Sequence, residues 1–308
     1  MQEIKYVAIL GAGAMGAFFA AKFFDAPEFS TALIAGGERH ERLTRDGLVV
    51  NGKTYHIPVR DPETDGPTAD LIIVAVKHHH LPDAVHELRN VVADGTTILS
   101  VMNGLDSEKT IGAVYGMDKA LYGVSVGIDA LRQGNQVSYT TPGRHYFGEA
   151  ANVPISERVR RVQVAFERAG IPYETPPDML RMMWWKFMVN VSMNPSSAVM
   201  HAPYGVFQAS PEARALMEAL MREVIALAQA EGIHLSEQDI ADWYPVLQTL
   251  SPQGQTSMLQ DIEARRKTEI EMFAGKAVEL GHRHGIPTPV NETMLRIIHV
   301  LEQYPANG

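Results

Sequence analysis

The feature that most constrains this sequence is a glycine-rich turn near its start, at the junction of an apolar run and a helical segment. Residues 6–10 have the apolar character of a buried strand, and residues 14–24 favour a helix. Gly11, Gly13 and Gly16 mark the junction in a G-x-G-x-x-G pattern. Such glycines permit a tight turn, close approach of the backbone to a pyrophosphate, and close packing of helix on strand, while the helix N-terminus offers free N–H groups to an anion. We therefore predict that a dinucleotide cofactor contacts the residues of this turn, Gly11, Ala12, Gly13, Ala14, Met15 and Gly16.

Apolar runs and helical segments alternate over the first half of the chain. The run at 70–76 is apolar almost throughout, as in a parallel strand that is covered on both faces, 96–101 repeats this pattern, and 31–35 is a further strand. This alternation predicts an α/β N-terminal Rossmann domain with a mostly parallel sheet. Beyond residue 177 the sequence has helical periodicity almost throughout, which predicts an all-α C-terminal domain. The predicted domains are a dinucleotide-binding domain at 1–175 and a helical substrate and dimerisation domain at 176–308.

Four local patterns predict individual elements. The Asn51-Gly52 pair between two apolar runs indicates a hairpin, because both residues tolerate positive φ. Helical periodicity predicts one helix over 82–92, one over 179–193 that Pro195 ends, and one long helix over 256–280 that Gly281 closes.

Composition excludes several classes of protein. The chain has 308 residues, a formal charge of −9 and no cysteine, so disulfides, thiolate nucleophiles and cysteine-ligated zinc are excluded. The negative charge disfavours nucleic acid as a partner. The uncharged stretch 6–21 superficially resembles a secretory signal, but its glycines interrupt it and it is too short to cross a membrane. We expect a cytoplasmic protein with no membrane partner.

Three consecutive histidines, His78, His79 and His80, raise the alternative of a metal site. Adjacent side chains diverge, and no carboxylate or histidine partner follows at a metal-ligand spacing. A polar turn between strand and helix is the better interpretation, and we predict no metal.

The residues that would distinguish NAD from NADP give a mixed signal. They are expected about 20 residues beyond the glycine turn, where an acidic residue binds the ribose 2′-hydroxyl and an arginine accommodates a 2′-phosphate. Here Glu38 is followed directly by Arg39, and Arg42 is close by. A merely solvated polar loop explains this segment nearly as well.

A second cluster of polar residues lies in a strongly apolar helical segment. Lys186, Asn190 and Asn194 follow one another in steps of four and therefore share one stripe of a helix. Their neighbours include Trp184 and Phe187, so the polar groups must either reach solvent or converge on a polar ligand. A snorkelling lysine with two packing asparagines is the structural alternative to a pocket wall that holds a proton donor.

Further polar residues occupy the ends of strands and a charged helical segment. Lys77 and Asn103-Gly104 follow two successive predicted strands, where open α/β sheets bind ligands. Ser257, Asp261 and Glu269 lie in the segment 256–280, whose many charges are explained equally well by a solvated helix face.

Taken together, the motifs resemble the 2-dehydropantoate 2-reductase family, also called ketopantoate reductase. The resemblance covers nearly the whole chain and depends on Lys186-x-x-x-Asn190-x-x-x-Asn194-Pro195 and on Ser257-Met258-Leu259-Gln260-Asp261 more than on the glycine turn. The family implies an NADPH-dependent reductase with a Rossmann domain and a helical domain. It implies NADPH-dependent reduction of 2-dehydropantoate to pantoate, as in pantothenate and coenzyme A biosynthesis.

The resemblance also implies roles for individual residues. Lys186 would be the general acid, Glu269 would bind the substrate hydroxyl, and the substrate's polar groups would be held by Asn190, Asn194 and Ser257. Asn103 would lie beside the nicotinamide and Lys77 near the cofactor.

Two positions depart from the family's pattern. Family members commonly carry an arginine for the 2′-phosphate where this chain has Gly36, so Arg39 or Arg42 would have to replace it. Many also carry a substrate-contacting asparagine in the segment where this chain has Tyr204. Alternatives are therefore NADH as cofactor, another branched or bulky 2-oxo acid as substrate, and a non-catalytic dinucleotide-binding sensor. A homodimer through the C-terminal helices is a further expectation, for which the sequence itself carries no signal.

Overall fold

The computed structural model describes residues 3–304. Contacts divide the chain into two compact units, Met1–Met182 and Met183–Gly308. The strands are, in chain order, β1 (Tyr6–Leu10), β2 (Ser30–Ile34), β3 (Leu48–Val50), β4 (Lys53–Tyr55), β5 (Val59–Arg60), β6 (Leu71–Val74), β7 (Thr97–Ser100), β8 (Ala120–Ile128), β9 (Leu131–Gln133), β10 (Gln136–Ser138), β11 (Pro142–Gly148) and β12 (Tyr173–Glu174).

The helices follow the same order along the chain. They are α1 (Ala14–Asp25), α2 (Gly37–Asp46), α3 (Leu81–Ala84), α4 (Ser107–Tyr115), α5 (Glu157–Arg168), α6 (Met179–Met200), α7 (Tyr204–Ala209), α8 (Pro211–Ala230), α9 (Glu237–Thr249), α10 (Ser257–Glu263), α11 (Ala274–His284) and α12 (Pro289–Gln303). Short 3₁₀ turns occupy His78–His80, Val85–Leu88 and Ile270–Met272. No described helix has the length and apolar character needed to span a membrane.

The first unit is built on an eight-stranded sheet with the order β12-β11-β8-β7-β6-β1-β2-β5. All neighbours pair in parallel except β8 with β11, which are antiparallel. The central strands β6 and β7 are buried along their whole length, as expected of parallel strands that are covered on both faces. This arrangement confirms the predicted α/β class with a mostly parallel sheet.

A second sheet, with the order β4-β3-β10-β9, contains the predicted hairpin. Asn51 and Gly52 adopt positive φ, 48° and 79°, between the antiparallel strands β3 and β4. The Asn-Gly prediction is confirmed, because this pair favours a two-residue turn that matches the twist of the strands.

Described residues of the second unit form helices, as predicted for the C-terminal part of the chain. Helix α8 packs on α11 and α12. The Glu223 carboxylate of α8 accepts hydrogen bonds from Val290 N, Asn291 N and Asn291 Nδ2 at 2.7–3.0 Å. It thereby satisfies N–H groups in the first turn of α12 that have no partner within that helix.

The prediction of one helix over 82–92 is wrong. This segment contains the end of α3, the 3₁₀ turn Val85–Leu88 and a further turn. Two carbonyl groups are engaged by distant partners: Arg60 Nη2 donates to Asn90 O, and Ala69 N donates to Val91 O. These long-range bonds tie the end of the segment to β5 and to the residues before β6, and sequence periodicity does not reveal them.

Helix α6 does not end before Pro195, contrary to prediction, but continues to Met200. Proline removes one intrahelical hydrogen bond and costs about 3 kcal/mol in a helix interior. Residues 187–198 are all buried, so the apolar area removed from water on both sides of the proline outweighs that cost.

The predicted helix over 256–280 is also wrong, because it is broken between α10 and α11. Arg265 adopts the left-handed conformation, with φ of 52°. Its N–H donates to Ile262 O, and the N–H of Arg266 donates to Asp261 O at 2.8 Å, which is the hydrogen-bond pattern of a Schellman motif. The Arg266 side chain reinforces the break by donating from Nε to Asp261 Oδ1 at 2.8 Å. An arginine stands where the motif usually has glycine, so the sequence gives no stop signal.

Candidate active site

The glycine turn connects β1 to α1 and is shaped by steric exclusion. A Cβ on Gly11 would lie 2.6 Å from Ala75 O, and one on Gly16 would overlap the carbonyl oxygen of Gly11. A Cβ on Gly13 would meet nothing closer than Ala75 O at 3.9 Å. Two glycines are therefore required by packing of the protein itself, whereas Gly13 leaves open space at the start of α1. This cradle fits a pyrophosphate approaching the backbone N–H groups.

Ala12, Ala14 and Met15 complete the turn and pack from outside against the main apolar core of the first unit. Gly13 is the N-cap residue of α1 and no side chain caps that helix. The first N–H groups of α1 therefore lack a side-chain acceptor, which is the state expected of a helix N-terminus that binds an anion.

Arg39, the predicted ligand of a 2′-phosphate, lies in the first turn of α2. Its Nη2 donates to Glu87 Oε1 at 2.6 Å. Gly36 is the N-cap residue, and a Cβ there would meet only Pro62 at 3.4 Å. Arg42 is exposed one turn further along α2. Sequence reasoning did not identify Glu87, since nothing in its local sequence indicates a contact 48 residues away.

Lys77 and Asn103 follow adjacent parallel strands, β6 and β7. Lys77 is the N-cap residue of the 3₁₀ turn His78–His80, and Asn103 lies in the loop between β7 and α4. Both are partly buried and both have polar partners. Because β1 is the other neighbour of β6, the sheet topology puts both residues at the edge from which the glycine turn begins.

A buried polar network supports the Asn103 loop. Met102 N donates to Ser100 Oγ at 3.3 Å, Ser100 Oγ and Ser107 Oγ are 2.8 Å apart, and Ser107 Oγ donates to Glu108 Oε2 at 3.0 Å. Both serines and Glu108 are buried, and burial raises the pKa of the Glu108 carboxyl to about 7. Sequence reasoning missed Glu108, whose only signal is an acidic residue at a helix start.

Lys186 lies on α6, in the second unit, on one stripe with Asn190 and Asn194. Burial lowers the pKa of the Lys186 ammonium from 10.5 to about 8, because an apolar surrounding disfavours the charged form. The side chain keeps some solvent access, so a proton can still be exchanged with water. Asn190 is buried and has a polar partner.

Asn194 joins α6 to the start of α10. Its Oδ1 accepts hydrogen bonds from Ser257 Oγ at 3.1 Å and from Met258 N at 3.3 Å, and its Nδ2 donates to Asn190 O at 3.3 Å. The structure thus brings together three predicted substrate ligands in the second unit. Asn194 is largely occupied with holding Ser257, whose side chain is exposed.

Glu269 lies in the break between α10 and α11, as the N-cap residue of the 3₁₀ turn Ile270–Met272. Its neighbour Thr268 donates from N and Oγ1 to Glu302 Oε1 of α12, at 2.8 and 2.7 Å. These bonds fix the backbone that carries the half-buried Glu269, which also has a polar partner.

Tyr204 begins α7 and is bonded to the turn that precedes Ser257. Its N–H donates to Gly254 O, and the N–H of Gly205 donates to Pro252 O, both at 2.9 Å. A Cβ on Gly254 would lie only 3.0 Å from the tyrosine ring. Tyr204 is half-buried, and this burial raises the pKa of its hydroxyl to about 12.

His78, His79 and His80 form a 3₁₀ turn, as the polar-turn interpretation predicted. Within residues 3–304 there is no group of three or more histidine, aspartate or glutamate side chains placed to hold a metal ion.

Comparisons with known proteins identify the family. The ketopantoate reductase PanE/ApbA model matches residues 7–152, and the model of its C-terminal part matches residues 178–302. A 2-dehydropantoate 2-reductase from Vibrio cholerae is 30% identical over 236 residues, covering 76% of this chain and 78% of that protein. One from Pyrococcus horikoshii is 27% identical over 299 residues, 96% of each chain.

Solved structures share the fold at lower identity. D-mandelate dehydrogenase with NADH and anilino(oxo)acetate superposes with a TM-score of 0.88 at 22% identity, covering 97% of this chain and 98% of that one. A 2-dehydropantoate 2-reductase from Geobacter metallireducens superposes with a TM-score of 0.84 at 24% identity, covering 96% of this chain and 99% of that one. With two family models covering both parts of its sequence, the chain belongs to the ketopantoate reductase family.

Proposed function

We propose that the protein is an NADPH-dependent reductase that converts 2-dehydropantoate to pantoate, the reaction that supplies pantoate for pantothenate and coenzyme A biosynthesis. The observation that carries this proposal is Lys186, a partly buried lysine whose pKa is lowered to about 8 by desolvation, on one helix stripe with two buried asparagines. The curated relatives from Vibrio cholerae and Pyrococcus horikoshii bear the name of this activity. A sensor would have no need of such a proton donor.

The dinucleotide is proposed to lie along the glycine turn, residues 11–16, with Lys77 and Asn103 toward its nicotinamide end. When bound, the reduced nicotinamide supplies a hydride for the keto carbon. D-mandelate dehydrogenase, which shares the fold, was solved with NADH, and the phosphorylated cofactor is proposed here because Arg39 lies in the first turn of α2. The domain roles proposed are cofactor binding at 1–175 and substrate binding at 176–308.

The proposed role of Lys186 is to stabilise and then protonate the negatively charged oxygen that develops from the substrate's keto group. The new carbon–hydrogen bond takes the electron pair of the hydride, and the carbonyl π pair moves to oxygen. The Lys186 ammonium donates a proton to that oxygen and becomes a neutral amine, which regains a proton from solvent. A lowered pKa makes this transfer easier than from an ordinary lysine, and the charge of the ammonium stabilises the transition state.

Substrate orientation is assigned to four polar side chains of the second unit. Asn190 and Ser257 are proposed to bind the polar groups of the substrate, and Asn194 to hold Ser257 in place through its Oδ1. Glu269 is proposed to accept a hydrogen bond from the substrate hydroxyl. Binding energy from these groups reduces the entropic cost of bringing the keto carbon into position.

The test is oxidation of NADPH and of NADH, followed at the nicotinamide absorbance, with 2-dehydropantoate and with a panel of other 2-oxo acids. We expect the fastest turnover with NADPH and 2-dehydropantoate. Cofactor binding without turnover of any oxo acid would contradict the proposal and favour the sensor.

A second candidate is reduction of another bulky 2-oxo acid. Tyr204 favours it, because a half-buried tyrosine ring stands where many family members carry a substrate-contacting asparagine, so that amide is missing for 2-dehydropantoate. Faster turnover of another bulky 2-oxo acid than of 2-dehydropantoate would establish this candidate, and Tyr204→Asn should then restore preference for 2-dehydropantoate.

We also propose that two copies associate as a homodimer. Support comes from the ketopantoate reductase of Staphylococcus aureus, which is described as dimeric and shares the fold with a TM-score of 0.79. Sedimentation equilibrium tests this proposal, and a monomer at all concentrations would contradict it.

A further inference from the structure

We propose that Glu87 is a specificity-determining residue for the cofactor: its ion pair with Arg39 weakens binding of a 2′-phosphate and so limits the preference for NADPH over NADH. This inference rests on the proposed function, in which Arg39 meets the 2′-phosphate. It adds a residue that lies outside the glycine turn and outside the strand end where such selectivity is usually sought.

The contact between the two side chains is short and joins opposite charges. Arg39 Nη2 donates to Glu87 Oε1 at 2.6 Å, and the two side chains are 46% and 23% exposed. The other carboxylate oxygen, Glu87 Oε2, is buried and has no hydrogen-bond partner among residues 3–304. Arg39 is therefore the cation that Glu87 has to neutralise its charge.

The sheet topology puts this ion pair beside the proposed cofactor site. Strands β2 and β6 both pair in parallel with β1, so the carboxyl ends of all three strands lie at one edge. Arg39 lies on the helix that follows β2, and Glu87 lies in the 3₁₀ turn Val85–Leu88 beyond β6. Arg39 thus lies just beyond the carboxyl end of β2, on the side where a Rossmann fold binds the ribose, and Glu87 reaches that position through its bond to Arg39.

The net charge of the Arg39–Glu87 pair determines how strongly it attracts a 2′-phosphate. An unpaired arginine near the 2′-position offers a full positive charge and several N–H donors. Paired with Glu87, it offers a nearly neutral group with a carboxylate a few ångströms away, which repels a dianionic phosphate. Moving Arg39 fully onto the phosphate would leave the Glu87 carboxylate partly buried without a cation, which is costly. A ribose with a free 2′-hydroxyl meets neither penalty.

The experiment measures binding rather than turnover. Titration calorimetry compares adenosine 2′,5′-bisphosphate with adenosine 5′-monophosphate, two fragments that differ by the 2′-phosphate, and is repeated with NADPH and NADH. Glu87→Gln should tighten the bisphosphate about fivefold and leave the monophosphate unchanged, a size typical of one partly exposed ion pair. Arg39→Ala should weaken the bisphosphate about tenfold, with the monophosphate again unchanged.

The matched control is Glu174→Gln, which removes the carboxylate of the Arg144–Glu174 ion pair. Glu174 lies in β12, the outermost strand on the far side of the same sheet from β2. This variant should change neither fragment's affinity. The inference is overturned if Glu87→Gln weakens the bisphosphate, leaves it unchanged, or alters both fragments equally. It is also overturned if Arg39→Ala has no effect on the bisphosphate, while turnover measured separately would still support the reductase. If the unaltered protein binds neither fragment, this inference and the proposed cofactor both fail.

Discussion

The two positively charged side chains with proposed roles, Lys186 and Arg39, lie in opposite environments. Lys186 lies on a helix stripe in apolar surroundings, and burial alone brings its pKa down to about 8. Arg39 lies at an exposed helix start and is held by a carboxylate at 2.6 Å. A buried ammonium is a good proton donor because its charged form is costly. An exposed guanidinium stays charged, and its neighbour decides how much of that charge a ligand meets.

The difference sets the size of effect expected at each site. Interactions in a water-poor environment act at nearly full strength, whereas those between exposed groups are screened. Variants of buried groups should therefore change rates and stability strongly, and variants of the Arg39 pair should change affinities only several-fold.

The largest effect is expected at the buried lysine. Lys186→Ala should lower kcat by a factor of about 10² to 10⁴, the contribution usual for a general acid, with NADPH affinity nearly unchanged. Lys186→Arg should stay impaired despite its charge, because a guanidinium releases its proton too reluctantly. Lys276→Ala, which removes a lysine from an ion pair on α11, is the control. Near-full turnover of Lys186→Ala would show that the buried lysine is not the acid.

The next effect compares two glycine-containing turns of the first unit, the one at Gly16 and the one at Gly36. Gly16→Ala should lower the free energy of unfolding by several kcal/mol, since overpacking of backbone against Cβ costs about 1–3 kcal/mol or more, and should abolish dinucleotide binding. Gly36→Ala should leave stability within about 0.5 kcal/mol, because its Cβ meets only Pro62 at 3.4 Å. Urea unfolding measures both. Equal stability of the two variants would mean that packing does not fix the first turn.

Desolvation shifts the pKa of the Glu108 carboxyl in the direction opposite to that of Lys186. Burial raises the pKa of Glu108 from 4.5 to about 7, so the folded protein binds a proton that the unfolded chain releases above pH 4.5. The resulting stability is complete below pH 4.5 and is lost as pH rises through about 7, with an upper limit of roughly 3 kcal/mol.

Glu108→Gln should remove this pH dependence while retaining the shape of the side chain. Urea unfolding of both proteins at about pH 5 and about pH 8 tests it, with the variant gaining relative stability at the higher pH. An identical pH dependence in both proteins would show that Glu108 is ionised without cost in the folded state.

The sequence was informative where function depends on local spacing. The glycine turn was predicted because its three glycines stand at fixed intervals within six residues, and Gly16 is required by the carbonyl of Gly11. The Lys186 stripe was predicted because steps of four put side chains on one face of a helix. The family resemblance added Glu269, which spacing alone does not single out.

Contacts between distant segments escaped prediction. Glu87 acts on Arg39 across 48 residues, and the position of Glu108 depends on a serine of the preceding strand. The break after α10 uses Arg265 in a left-handed conformation, for which glycine is the usual signal. Helix α6 passes through Pro195 because burial on both sides outweighs the lost hydrogen bond. At Pro195, tertiary packing overrides a local preference.

The pH dependence of kcat tests the central claim, that a buried lysine protonates the product oxygen. It should be measured with saturating NADPH and 2-dehydropantoate from about pH 6 to about pH 10, a range that brackets the lowered pKa of Lys186. The account predicts a plateau at low pH and a fall in kcat through about pH 8, because only the ammonium can donate. A kcat that stays constant, or rises, across this range would contradict Lys186 as the proton donor.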